Sequence, residues 1–373
     1  MSPLRILHCH STFSLGGKEA RAVRLMNVFG DGAVHTVLSA APDQLAARDA
    51  IDPGVQVTFP GEAAPPLHGK PSLARYRALT NYMKQFDLVL TYNWGSMDAV
   101  GARRLFPAGV PRLIHHEDGF NADEAVKLNW KRNGFRRLML GAAERIVVVS
   151  ERLDHIAQSV WRQNSAKIVR IPNGVETALY RDPPAANIPG LNRAAGDVIV
   201  GTLAGLRPVK NLCRLVRAVA AQPPHVKLVI VGEGPDRAKI MAEAARLGIA
   251  GRVVLPGFMA APHRYIGHFD IFALSSDSEQ FPISLVEAMA AGKAAVSTDV
   301  GDVSAIVSAA NRPHIVPIDD EAAFAVALAD LISEAALRRA IGAANQARAV
   351  EFFDEAGMID QYRALYGVRT TGA

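Results

Sequence analysis

Two carboxylates, Glu279 and Glu287, stand eight residues apart in the stretch Ser275-Ser276-Asp277-Ser278-Glu279-Gln280-Phe281-Pro282-Ile283-Ser284-Leu285-Val286-Glu287-Ala288-Met289-Ala290-Ala291-Gly292. An apolar strand pattern ends at Leu274, a polar loop carries Glu279, and a helix pattern opening near Pro282 carries Glu287. Carboxylates so placed can accept hydrogen bonds from the vicinal hydroxyls of a sugar or ribose, while the first-turn amides of Ser284 and Leu285 suit a phosphate. The plainer alternative makes Glu287 an acid favoured by the helix dipole and Glu279 a surface residue.

Other strand-end loops carry complementary chemistry. After the strand pattern Val198–Leu203, Arg207 and Lys210 stand at the entry to a helix that opens at Leu212. Cations at a helix N-terminus oppose its dipole unless an anion joins them, so this is a natural diphosphate site. The run Gly232-Glu233-Gly234-Pro235 is not a dinucleotide fingerprint, because Arg237 stands where the third glycine belongs. Paired Gly16 and Gly17 precede a helical pattern that begins near Ala20, where a bare backbone admits an anion or simply makes a tight turn. Finally, Ile114-His115-His116-Glu117-Asp118-Gly119-Phe120-Asn121 gathers imidazoles and carboxylates suited to acid/base work or, in principle, metal ligation. Adjacent strand residues point to opposite sides, and His116 is expected to face a cleft while His115 faces the core.

Positioning these loops requires strands. Short β-branched runs, among them Leu4–His8, Leu88–Tyr92, Arg145–Ser150, Val198–Leu203 and Ile271–Leu274, alternate with helix-length Ala/Leu/Arg patterns. That alternation predicts an α/β protein with parallel sheets. A chain of 373 residues exceeds one ordinary core and suits two domains. The breaker-rich run between Arg181 and Gly196 reads as the linker. The expected domains are 1–186, rejoined by a C-terminal helix within 352–373, and 187–351. Ligands of open α/β sheets lie beyond the carboxyl ends of strands and favour domain interfaces.

Composition excludes several classes. Apolar residues make up 49% and charged residues 21%, too little polarity for disorder. No apolar run reaches the ~18–20 residues of a membrane span, and the N-terminus lacks a signal-peptide pattern, so a cytoplasmic protein is expected. Cys9 and Cys213 are too far apart in sequence to suggest a disulfide framework or a thiolate zinc site. Residues 1–190 hold 23 Lys+Arg against 17 Asp+Glu, whereas the remainder holds 18 against 19, so the basic surplus belongs to the first half. There the segment from Trp130 to Leu140 interleaves Lys131, Arg132, Arg136 and Arg137 with large apolar groups, which suits either a solvated helix face or an anionic membrane surface. Aromatics at 6% and the lack of a nucleic-acid motif argue against nucleic acid.

The spacing Glu279-x7-Glu287, within S-x-x-E-x-x-P-x-x-x-x-E-A-M-A-x-G, resembles the signature of retaining glycosyltransferases of family four, the group 1 glycosyltransferases. The resemblance extends in order through Gly16-Gly17, the His116 loop, Ile171-Pro172-Asn173-Gly174-Val175, Arg207/Lys210, Val231-Gly232-Glu233-Gly234-Pro235 and Leu255-Pro256-Gly257-Phe258. It implies a GT-B fold, two facing Rossmann-like domains with the active-site cleft between them, and a final helix that returns to the first domain. It further implies that Glu287 binds the ribose, Arg207 and Lys210 the diphosphate, and the backbone near Phe258 the base. Glu279 with Gln280 and Phe281 would hold the donor sugar opposite His116, and Gly16 and Gly17 would admit the acceptor. Ser284, Leu285 and Gly232 complete the donor side, with Glu279, His116 and Lys210 as the catalytic set.

Two departures stand out: Gly205 occupies the place of the family's usual arginine, and Gln280 that of a glycine. The implied activity is transfer of a hexosyl group from a nucleoside-diphosphate sugar to a hydroxyl acceptor, glycan or lipid-linked, as in bacterial lipopolysaccharide or other surface polysaccharide and glycolipid synthesis. No cofactor or metal is expected: the chain has no D-x-D, and the nucleotide sugar is a co-substrate. Peripheral contact with the inner membrane face is compatible with the basic first half. A sugar-nucleotide epimerase of similar fold, or an inactive nucleotide-sugar-binding protein, are the rival readings.

Overall fold

Seven parallel strands build the first sheet of the computed structural model, which describes residues 2–14, 16–70, 72–120, 124 and 128–369. They are β1 (Leu4–His10), β2 (Ala33–Ser39), β3 (Val57–Thr58), β4 (Leu88–Tyr92), β5 (Arg112–Glu117), β6 (Arg145–Val148) and β7 (Ile168–Arg170), in the order β3-β2-β1-β4-β5-β6-β7. Helices α1 (Gly17–Phe29), α2 (Leu73–Met83), α3 (Met97–Leu105), α4 (Trp130–Met139) and α5 (Glu151–Ser159) connect them. The second sheet runs β10-β9-β8-β11-β12-β13, from β8 (Val198–Leu203), β9 (Val226–Val231), β10 (Val253–Gly257), β11 (Ile271–Leu274), β12 (Ala294–Thr298) and β13 (Ile315–Val316). Its helices are α6 (Leu212–Ala220), α7 (Arg237–Arg246), α8 (Ile283–Ala290), α9 (Val303–Ile306), α10 (Glu321–Ser333) and α11 (Ala335–Phe352), and α12 (Glu355–Tyr366) closes the chain.

Apolar residues at consecutive positions make these strands suitable for burial on both faces. Ile146, Val147 and Val148 of β6 are all buried, as are Leu228, Val229 and Ile230 of β9. The strands not foreseen from sequence, β3, β7 and β13, are two or three residues long and lie at sheet edges, too short to show a period. Strand β6 stops before Ser150 because that hydroxyl caps α5, accepting from the Leu153 amide at 3.1 Å.

Two compact units divide the chain: Met1–Pro172 with Met358–Ala373, and Asn173–Gly357. The breaker-rich run belongs to the second unit. Ile188 is buried there, the Ala186 amide donates to the Arg264 carbonyl at 2.8 Å, and Arg193 pairs with Asp270 at 2.9 Å. From Met358 onward, α12 joins the first unit's core through Met358, Ile359, Tyr362 and Tyr366, packed with Ile6, Leu25 and Phe29.

The basic segment is internal only in part. Arg136 of α4 is wholly buried, with Nε 3.0 Å from Glu117 Oε2 and Nη1 3.5 Å from Glu124 Oε1. Its guanidinium lies over the rings of Trp161, Trp94 and Phe120 at 5.1–5.3 Å. Arg132 pairs with the same Glu124 at 2.9 Å. Arg136 therefore ties α4 to β5 and Arg132 ties it to Glu124, which leaves Lys131 and Arg137 exposed. Removing one partner of a buried pair strands the other's charge, so Arg136→Ala should cost about 3–5 kcal/mol in denaturant unfolding. Exposed Arg137→Ala should lie within roughly 0.5 kcal/mol of the wild type.

Candidate functional site

The order of the second sheet reverses between β8 and β11, and the loops leaving those two strands meet there. Backbone groups join them: the Asp277 amide donates to the Val209 carbonyl at 2.8 Å, and Ser275 Oγ to the Lys210 carbonyl at 3.0 Å. Beneath them lies buried Arg214, which donates to the Ser275 carbonyl at 2.9 Å and pairs with Asp277 at 3.0 Å. Asn211, in the left-handed region at φ 42°, donates to the Asp277 carboxylate at 3.0 and 3.2 Å and turns the chain into α6. As a result, Lys210 Nζ and Glu279 Oε1, from different loops, lie 2.5 Å apart, with Ser276 Oγ donating to the same oxygen at 2.7 Å. Thr202, Ala204, Lys210, Ser276, Glu279 and Ser284 line a small cavity at this point.

Arg207 is exposed beside the cavity loop, immediately before the turn Pro208–Lys210. Its Nε lies 3.4 Å from where a Cβ on Gly205 would stand. The bare glycine thus leaves room for Arg207 to fold back over position 205. Gly232, at φ 145°, lies so close to the Ala204 carbonyl that a Cβ would meet its oxygen at 1.9 Å. The Gly232 amide donates to the Gly257 carbonyl at 2.9 Å, and the Glu233 carbonyl accepts from the Leu206 amide at 2.9 Å. In this structure Gly232 therefore clamps the 204–207 loop.

Beyond Glu279, the Gln280 carbonyl accepts from the Asp302 amide at 3.1 Å, while Gln280 Oε1 is buried without a partner among the described residues. Buried Phe281 meets Phe353 edge-on at 5.6 Å. Helix α8 begins at Ile283; the Leu285 amide donates to the Pro282 carbonyl at 3.1 Å, and Ser284 faces the cavity. One turn on, half-buried Glu287 accepts from the Tyr180 hydroxyl at 3.0 Å. Burial pushes the Glu287 carboxyl up to about 7, opposed by the Tyr180 hydrogen bond. Phe258, just past β10, is 71% exposed, and the Met259 carbonyl beside it accepts from buried Tyr265 Oη at 2.9 Å.

In the first unit, Gly16 caps α1 and Gly17 is its first residue, so the helix starts earlier than its apolar pattern suggests; both glycines are exposed. Nearby, Arg21 and Asp118 form a two-pronged pair, with Nη2 to Oδ2 at 3.0 Å, and Asn93 Oδ1 accepts from the Asp118 amide at 2.7 Å. Burial brings the Lys18 ammonium down to about 8, despite the favourable charge of Asp118.

The histidine expectation does not survive: His115 and His116 are both wholly buried. His116 Nδ1 lies 3.2 Å from the Thr91 carbonyl and Nε2 2.7 Å from the Tyr366 hydroxyl, and its ring stacks on Tyr92. A carbonyl can only accept, so the proton is on Nδ1 and Tyr366 donates to Nε2. Burial pushes this imidazole down to about 3, with the Arg21 charge acting the same way. The alternation argument failed because helices cover both faces of this sheet. Asn121 lies outside the described residues.

Sequence reasoning missed Tyr180, Asn211, Arg214, Asp277 and Gly301. Of these, Asn211 directly after Lys210 carried a helix-entry signal; the others became visible only through contacts.

The family model described as "Glycosyltransferase Family 4" matches residues 15–179, and that described as "Glycosyl transferases group 1" matches 186–348. The chain belongs to the group 1, family 4 glycosyltransferases. Relatives of this family member include the putative glycosyltransferase EpsF of Bacillus subtilis (strain 168), 28% identical over 202 residues, 52% of each chain. Another is the phosphatidyl-myo-inositol mannosyltransferase of Mycobacterium tuberculosis (strain ATCC 25618 / H37Rv), 31% identical over 207 residues, 53% of each chain. The chain spans about half the length of the curated relatives it matches first. Among solved structures, Anabaena Alr3699/HepE in complex with UDP superposes with a TM-score of 0.80 at 20% identity, covering 98% of this chain and 100% of that one. The two Rossmann-like units are those of the GT-B fold.

The site loop rests on Gly301. At φ 58°, a Cβ there would lie 2.6 Å from the Gln280 carbonyl oxygen and 2.7 Å from that of Glu279. Gly301→Ala should lower stability by about 1–3 kcal/mol in thermal unfolding. In the same variant, an environment-sensitive probe on the 279–281 loop should report displacement.

Proposed function

We propose that this chain transfers a hexosyl group from a nucleoside-diphosphate sugar to a hydroxyl acceptor with retention at the anomeric carbon. The observation that carries the reading is the convergence of Lys210 and Glu279 from two strand-end loops, with Glu287 on the adjoining helix. Support comes from the family, and from the structural neighbour HepE, whose complexes contain UDP and UDP-glucose.

In the proposed reaction the bond between the anomeric carbon and the β-phosphate oxygen breaks, and the acceptor oxygen bonds to that carbon. The acceptor's proton passes to the departing phosphate, so no side-chain base is assigned. Charge grows on the diphosphate as the bond breaks, and Lys210, Arg207 and the Ser284 amide at the start of α8 stabilise it; the Leu285 amide is taken by the Pro282 carbonyl. Positive charge for the leaving group thus comes from side chains and an amide, and we assign no metal to the step. Glu279, with the Gln280-Phe281 backbone, orients the sugar; Glu287 holds the ribose; the Phe258 segment borders the base. Gly16 and Gly17 are assigned to the acceptor side. His116, buried and with both nitrogens bonded, is assigned to holding α12 in place of its expected role beside the sugar.

A panel of nucleotide sugars, with the linkage of the product read by NMR, tests the reaction. Retained configuration and transfer are expected; inversion, or interconversion of donors without an acceptor, would overturn it. Arg207→Ala should lower kcat/KM by about 10–100-fold, and adding Gly205→Arg should restore most of it, because the space over residue 205 is then free.

The acceptor is proposed to be lipid-linked. In the first unit α2, α3 and α4 each connect strands that step the same way across the sheet, which puts them on one face. These three helices expose Arg77, Lys84, Arg104, Lys131 and Arg137 with Leu73, Trp130 and Leu138, and their one acid, Asp98, pairs with Arg75 at 2.8 Å; α5, on the same face, adds Arg152 and the acids Glu151, paired with Arg170 at 2.6 Å, and Asp154. Cations around apolar side chains suit a peripheral hold on an anionic membrane face, on the cytoplasmic side. Among the described residues no helix is long and apolar enough to cross a membrane. The wild type should sediment with anionic but not neutral vesicles and release as salt rises. A triple Arg104→Gln, Lys131→Gln, Arg137→Gln variant should bind at least tenfold more weakly, and equal binding by that variant would remove this surface from the proposal.

A further inference from the structure

Tyr180 ends the short turn Thr177–Tyr180, and the second unit holds that turn firmly. The Val175 amide donates to the Phe353 carbonyl at 2.9 Å, the Glu355 amide to the Val175 carbonyl at 2.9 Å, and the Thr177 amide to Asp354 Oδ2 at 3.3 Å. The Tyr180 side chain is buried, meets His263 edge-on at 6.0 Å, and places its hydroxyl 3.0 Å from Glu287 Oε1. The turn packs on α8, so the contact joins two rigidly placed elements.

We propose that Tyr180 is a positioning residue for nucleotide recognition: its hydroxyl anchors Oε1 of Glu287 and so presents Oε2 to a ribose hydroxyl of the bound nucleoside diphosphate. This rests on the donor reading above.

The contact has an electrostatic side. Glu287 is desolvated enough to titrate at about 7, and the Tyr180 hydrogen bond favours its charged form. Burial and the Glu287 charge both push the Tyr180 phenol up, so Tyr180 stays protonated and donates. Strands β11 and β12, packed against α8, carry no ionisable side chain. On α11, Arg338 bonds the carbonyls of Leu331 and Ile332, Arg348 those of Ala305 and Ile306, and Arg339 and Glu351 are exposed. The Glu287 charge also pushes the Tyr265 phenol up, but that hydroxyl donates to the Met259 carbonyl at 2.9 Å, and His263 lies edge-on to Tyr180. Tyr180 is therefore the group that opposes the desolvation of Glu287 by direct contact.

A protonated carboxyl loses acceptor capacity, so affinity should fall as pH drops through the titration of Glu287. Removing the hydroxyl takes away support for the carboxylate and moves that fall to higher pH. Binding of UDP, GDP and ADP to the full chain is measured by calorimetry from about pH 5.5 to 8.5 for the wild type, Tyr180→Phe and Glu287→Gln. The Gln variant reports the titration of the diphosphate alone. For whichever nucleotide binds, the wild type should lose affinity relative to Glu287→Gln as pH falls, and Tyr180→Phe should shift the midpoint up by roughly 0.5–1 unit. Coincident wild-type and Tyr180→Phe midpoints, or a wild-type profile parallel to that of Glu287→Gln, would overturn the inference while leaving the donor reading intact. Failure of all three nucleotides to bind the wild type would overturn the donor reading and this inference with it.

Discussion

Where the order of the second sheet reverses, two loops leave neighbouring strands with unpaired backbone groups, and those groups have to be satisfied. The Asp277 amide pairs with the Val209 carbonyl, and side chains take the rest: the Ser275 hydroxyl donates to the Lys210 carbonyl and Arg214 to that of Ser275. The Lys210–Glu279 pair follows from this seam. It brings a lysine and a glutamate 69 residues apart in sequence to 2.5 Å, where their charges offset each other. Glycines at 232 and 301 serve the same seam, because each lies where a side chain would collide with a carbonyl of the loop it supports.

The first unit treats its ionisable groups differently. His8, His10, His35 and His116 are all buried, and His8 reaches His35 at 3.0 Å and Tyr92 at 3.2 Å. Desolvation keeps such imidazoles neutral, so they act as polar fillers of the core, and His116 alone among them is shown against α12. Arg136 follows a similar logic at higher electrostatic stakes, since its charge is tolerated only because Glu117, Glu124 and three aromatic faces surround it. The charge that remains outside is consequently spread over three helices, and the sequence cluster that first drew notice supplies only part of it.

Strand and helix types, the parallel sheets, the positions of the Arg207/Lys210 loop and the two glutamates, and the family itself were legible from sequence, because periodicity and motif spacing are local properties of the chain. Edge strands of two or three residues were not, nor was the attachment of 181–196 to the second unit, since breakers mark irregular backbone without saying what it packs against. Tertiary structure alone decided which charges are paired, which histidine nitrogens are occupied, and that Tyr180 reaches Glu287 across more than a hundred residues of sequence. The physical reason is that ionisation and availability depend on desolvation and on partners brought from afar, and neither quantity is written in the spacing of residues along one segment.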